Sequence, residues 1–172
     1  MTIDLDTVER LVVEAVDLLL ARDHDLFSRD LNERTLTHRL AVYLEPRFAD
    51  WHVDCEYNRN GKDPKEMFLP RQRLGVVTDE DLEARTVFPD ILVHERGTNT
   101  RNLLVLEAKK TTSNVDEEFD LRKLDAFREA PFHYPVTVFV RLHTGESECP
   151  AVTIRFDFGN GRIVETRRGG AR

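Results

Sequence analysis

The feature that most constrains this chain is a change of hydrophobic period near residue 50. Before it, Val8, Leu11, Val12, Ala15, Leu18 and Leu19 recur at steps of three and four across residues 4–22. Leu36, Leu40 and Leu44 do the same across residues 30–45, and Pro46 closes the run. A helix brings such residues onto one face, so the spacing predicts two amphipathic helices. Asp6 with Glu9, and Asp30 with Glu33, have the spacing of capping boxes at their starts. From Trp51 the period is two. Trp51, Val53, Cys55 and Tyr57 alternate with His52, Asp54 and Glu56, as on a strand.

The rest of the chain keeps this second pattern, with one interruption. Gly61, Pro64 and Pro70 mark a loop, and a polar connection continues to about Arg85. Strands are expected at 87–94 and 103–109, joined by the turn GTNT at 97–100. A helix is expected at 114–129, with Asn114 and Glu117 at capping spacing, followed by a β-branched strand at 135–142. Residues 152–158 and 162–166 read as a hairpin around GNG at 159–161. The predicted class is α/β, a mixed β-sheet flanked by α-helices. A helical crossover makes strands 103–109 and 135–142 parallel if both join one sheet. At 172 residues the chain has the length of one domain. Its expected parts are a helical N-terminus at 4–45, a sheet core at 51–142 and a C-terminal hairpin at 150–168.

Within this pattern the stretch FPDILVHERGTNTRNLLVLEAKK, residues 88–110, carries charge where buried strands are ordinarily apolar. Alternation puts Glu107 and Lys109 on one face, with Ala108 pointing away, and puts Asp90, Leu92 and His94 on one face of the preceding strand. Antiparallel pairing through the turn brings Asp90 beside the end of strand 103–109. Two adjacent carboxylates raise each other's pKa unless a cation lies between them. A hard divalent ion answers that need, since Mg²⁺ takes oxygen ligands and keeps positions for water and phosphate. Glu33 falls on the stripe of Leu36, Leu40 and Leu44, so it either faces the sheet as a third acid or serves only the capping box with Asp30.

Pro89-Asp90, followed 17 residues later by Glu107-Ala108-Lys109, resembles the motif of the PD-(D/E)XK nuclease superfamily, the restriction-endonuclease-like fold. The likeness spans roughly residues 30–142 and includes the upstream helix with Glu33. It implies a metal-dependent DNA endonuclease using Mg²⁺, with Mn²⁺ able to substitute. Asp90 and Glu107 are then ligands, assisted by the backbone carbonyl of Ala108. Lys109 orients and activates the attacking water and steadies phosphate charge, and Glu33 is a further acid of the site. The alternative is a non-catalytic module of this fold, serving as an assembly or regulatory subunit.

Lys123 shares a helix face with Phe119, Phe127 and Ala130, from which it reaches either a phosphate or Asp120 three residues before it; the ion pair is the favoured reading. Lys110 points to the opposite sheet face. Lys62, Lys65, Arg71 and Arg73 lie in a basic stretch, 59–73, that is a candidate contact for the DNA backbone. A net charge of −7 argues against coating nucleic acid non-specifically, so a protein partner or a second copy is expected to complete the binding surface.

The six histidines show no metal-helix spacing, although His94 shares Asp90's face, and no nucleophile-elbow, P-loop or dinucleotide motif occurs. Phe119, Phe127, Phe132 and Tyr134 read as core. No apolar run approaches the ~20 residues of a membrane span. The acidic start MTIDLDTVERL lacks the basic region of an export signal. Cys55 and Cys149 have no metal or redox spacing. A reduced, cytoplasmic protein is expected.

Overall fold

The computed structural model describes residues 4–57, 59–60, 63–64, 66–70, 82–86, 88–145 and 150–170. The N-terminal patterning becomes three helices. The first, α1 (Leu5–Arg22), buries Val8, Val12, Ala15, Val16 and Leu19 along one side. Asp4 caps it, its carboxylate accepting the Thr7 N–H at 3.1 Å. Asp6 and Glu9 do not form the expected capping box but hold Arg162, just before the last strand, at 2.5 and 2.9 Å. A short helix that the periodicity did not signal, α2 (His24–Ser28), follows, and then α3 (Glu33–Leu44) with a 3₁₀ turn at Glu45–Arg47.

The expected box of Asp30 and Glu33 is likewise absent. Asn32 caps α3, its side chain accepting the Thr35 N–H at 3.1 Å. Asp30, in the left-handed region at φ 50°, lies outside the helix. Its Oδ1 accepts from Lys110 Nζ at 2.8 Å, Thr112 Oγ1 at 2.9 Å and Thr144 Oγ1 at 2.6 Å. The Lys110 bond, then those from the threonines, lower the Asp30 pKa to about 2.

The strands in chain order are β1 (His52–Cys55), β2 (Arg59–Asn60), β3 (Asp63–Pro64), β4 (Glu66–Pro70), β5 (Leu82–Thr86), β6 (Ile91–His94), β7 (Asn102–Lys110), β8 (Val136–His143), β9 (Ala151–Asp157) and β10 (Ile163–Gly169). A fourth helix, α4 (Glu118–Arg128), connects β7 to β8. Six strands form one mixed sheet in the order β1-β6-β7-β8-β9-β10. Only β7 and β8 are parallel among its neighbours, as the crossover helix requires. Where the sequence suggested a loop and a polar connection, β2 pairs with β3, and β4 with β5, as separate two-stranded sheets.

The third helix expected from the sequence starts four residues late. Glu117 makes no side-chain cap; it pairs with Arg141 of β8, at 2.6 Å, while Asp116 accepts the Glu118 N–H at 3.0 Å. At the GTNT turn Gly97 takes φ 81°, a conformation that favours glycine.

The sheet has a core on each face. Ile91, Val93, Leu104, Leu106 and Ala108 pack with the stripes of α1 and α3. Leu92, Val105 and Phe139 pack with Leu124 and Phe127 of α4 and with Phe132 and Tyr134. Being covered on both sides, β7 reads as an almost continuous apolar run, LLVLEA, in which a charge is the anomaly. The parity that sends Leu104, Leu106 and Ala108 toward α1 and α3 sends Glu107 and Lys109 toward α4.

Candidate functional site

Four segments meet at the end of β7. Ile91 pairs with Leu106, so continuing the antiparallel register sets Asp90 opposite Glu107. Asp90 Oδ2 accepts the N–H of Ala108, the residue after Glu107, at 2.7 Å. The first turn of α4 supplies Asp120, and the next turn supplies Lys123. From the other face, Glu33 Oε2 accepts the N–H of Lys110 at 2.9 Å. Glu33 thus faces the sheet; its charge acts on both Asp90 and Lys109.

The side chains interlock as alternating charges. Lys109 Nζ is 2.6 Å from Asp120 Oδ2. Lys123 Nζ is 2.6 Å from Glu107 Oε2, 3.3 Å from the Phe88 carbonyl oxygen and 4.0 Å from Asp120 Oδ1. The expected pairing of Lys123 with Asp120 is therefore the longer contact. Spacing along a helix shows that Lys123 and Asp120 are neighbours; it does not show that a deeper carboxylate lies beneath them on the sheet. Glu107 is 1% exposed, and its other oxygen, Oε1, is buried without a hydrogen-bond partner among the described residues.

These surroundings move the pKa values. Burial raises the Asp90 carboxyl to about 6, against the Ala108 N–H and the Lys123 charge, and the Glu33 and Asp120 charges push the same way as burial. Burial, and next the charge of Asp90, push Glu107 well above the usual carboxylate range despite Lys123. For Lys109, burial opposes the charge, but the bond to Asp120 and the surrounding acids outweigh it and its pKa is raised.

The fit to a divalent cation rests on two observations. Among the described residues, Asp90, Glu107 and Asp120 face two ammoniums, Lys109 and Lys123, and Glu33 adds a further negative charge. A buried carboxylate oxygen with no partner is rare, because such a group loses its hydration without replacement. Hard oxygen donors in a negatively biased site suit Mg²⁺ or Mn²⁺. Among the described residues, no cluster of three or more His, Cys, Asp and Glu side chains is positioned around one ion.

Asp90 also borders a cavity of about 220 Å³ shared with Arg34, Thr37, His38, Cys55 and Glu56. Arg34 pairs with Glu56 at 2.8 Å across its mouth. His94, on Asp90's parity, is not part of the cluster. It is buried beside Asp54, 3.0 Å from its carboxylate, which also takes two bonds from Arg96. Lys110 reaches Asp30 on the opposite face, as its parity predicts. Lys62, Lys65, Arg71 and Arg73 lie outside the described residues. Asp120 is a site residue that the motif does not include; its signal is its place in the first turn of the helix following the E-x-K strand.

No family model, no curated protein and no solved structure matches this chain.

Proposed function

We propose that the chain is a divalent-metal-dependent nuclease of the restriction-endonuclease-like PD-(D/E)XK kind, hydrolysing DNA phosphodiester bonds. The observation that carries this reading is the placing of Asp90 beside Glu107 in a cluster whose acids outnumber its amines among the described residues, with Glu107 Oε1 buried and without a hydrogen-bond partner among them. Asp90, Glu107 Oε1 and the Ala108 carbonyl would hold Mg²⁺, with Mn²⁺ able to replace it. Such an ion, when bound, supplies a Lewis acid for the phosphate and acidifies water.

The chain's own groups do the rest. Lys109 steadies charge on the phosphate and orients the attacking water, and Asp120 fixes that ammonium in place. Glu33 reinforces cation attraction from the far face. The cavity beside Asp90 is the approach for the substrate backbone, with Arg34 and His38 along its wall. The exposed Arg34–Glu56 pair is weak enough for a phosphate to displace it. The net charge of −7 favours a protein partner or a second copy completing the DNA surface.

The test is cleavage of double- and single-stranded DNA by the purified chain with Mg²⁺ or Mn²⁺. Asp90→Asn, Glu107→Gln and Lys109→Met are each expected to lower the rate at least about 100-fold. Undiminished cleavage in Asp90→Asn would reject the assignment. A second reading, the non-catalytic module, is favoured by one observation: both lysines already neutralise acids of the cluster. Calorimetric titration with Mn²⁺ separates the two, because saturable binding that Glu107→Gln removes belongs to the nuclease.

A further inference from the structure

Lys123 has no role in the motif that pointed to this site, yet its ammonium sits at the centre of it. It is 8% exposed. Its Nζ meets Glu107 Oε2 at 2.6 Å and the Phe88 carbonyl at 3.3 Å, with the Asp120 carboxylate beyond hydrogen-bond reach at 4.0 Å. Phe88 lies two residues before Asp90. One side chain from α4 thus ties together the two chain segments that carry the candidate metal acids. It also takes up one oxygen of Glu107, and the other is buried without a hydrogen-bond partner among the described residues.

Resting on the metal-site reading above, we propose that Lys123 is a positioning residue for the ion. It clamps Oε2 of Glu107 and the backbone before Asp90, so that Oε1 is the oxygen of Glu107 left to a divalent cation. A carboxylate free to turn would meet the ion in several orientations and would lose more freedom on binding it. Held at one oxygen, it meets the ion with a single defined donor. Groups that orient a ligand in this way ordinarily contribute 10–100-fold to metal affinity. The opposing account makes Lys123 a resident counter-ion that must leave before a metal enters. The two accounts differ in the sign of one measurement.

That measurement is calorimetric titration of the full chain with Mn²⁺, with wild type compared to Lys123→Met well below the melting temperature of each. The clamp predicts that the Mn²⁺ Kd rises about tenfold or more in the variant. Because the variant exposes Glu107 to loss of its partner, a second measurement uses the unaltered chain. In Mn²⁺-soaked crystals the ion is expected about 2.1 Å from Glu107 Oε1, with Lys123 Nζ still bonded to Oε2. An ion on Oε2 with Lys123 displaced, or a variant that binds Mn²⁺ as tightly as wild type or more tightly, overturns the clamp and leaves the metal site standing. Absence of saturable Mn²⁺ binding by wild type removes the metal site and the clamp together.

Discussion

Asp90 titrates at about 6 in the folded chain, against 3.8 for a free aspartate, because burial disfavours its charge. The folded state therefore holds a proton that the unfolded state releases. Its contribution to stability is fully present below about pH 4 and is lost as pH rises through about 6. Asp90→Asn, which keeps an acceptor for the Ala108 N–H, is expected to be more stable than wild type at pH 7 in the absence of metal, by at most about 3 kcal/mol, and equal to it near pH 4. Urea melts at the two pH values measure this; equal stability of the two proteins at pH 7 would contradict the buried charge. Asp120→Asn removes the partner of Lys109 and the more distant partner of Lys123. The expected loss is about 3 kcal/mol, read from the same melts. Asp90, Glu107 and Lys109 could be picked out in the sequence because each is a charge in an otherwise apolar, strand-like run whose parity can be counted. Asp120 could not, because acids in the first turn of a helix are common and helical spacing reveals a face without its depth.

At the level of elements, the site depends on where α3 begins. Asn32 caps the helix and places Glu33 at its first position, from which Glu33 reaches the N–H of Lys110. Asn32→Ala should destabilise the chain by about 1 kcal/mol. The same substitution is expected to weaken the Mn²⁺ affinity of the site, since Glu33 loses its fixed approach; Asn32→Asp should leave both nearly unchanged. Thermal melts and metal titration of the two variants give the comparison. Existence and order of the major helices and strands were readable, because each has its own period and is bounded by Pro, Gly or polar residues. The ends of the helices were not. Three pairs at capping spacing, Asp6 with Glu9, Asp30 with Glu33 and Asn114 with Glu117, are drawn wholly or partly into other contacts: Arg162 takes the first pair, Lys110 bonds both members of the second, and Arg141 takes Glu117. A carboxylate gains more from a partly buried arginine or a strand N–H than from an exposed helix start.

For the molecule as a whole, an ion that binds only the folded site must raise its stability. Mn²⁺ at 100 times its Kd should add about 2.7 kcal/mol to unfolding, and Glu107→Gln should remove that gain while leaving the chain folded. Melts with and without Mn²⁺ test it, and a wild-type midpoint indifferent to the ion would argue for the non-catalytic module. None of the helices among the described residues is long and apolar enough to cross a membrane, in line with the hydropathy of the sequence. The α/β class, the parallel β7–β8 pair and the face on which Glu107 and Lys109 stand are all legible in the amino-acid order. Those follow from hydrophobic period, chain connectivity and the two-residue repeat of a strand, all of which are local. Which amine meets which acid, and which oxygen of Glu107 Lys123 takes up, emerge from packing alone. Those outcomes depend on how deep α4 lies against the sheet, where little more than an ångström separates the 2.6 Å contact of Lys123 with Glu107 from its 4.0 Å approach to Asp120.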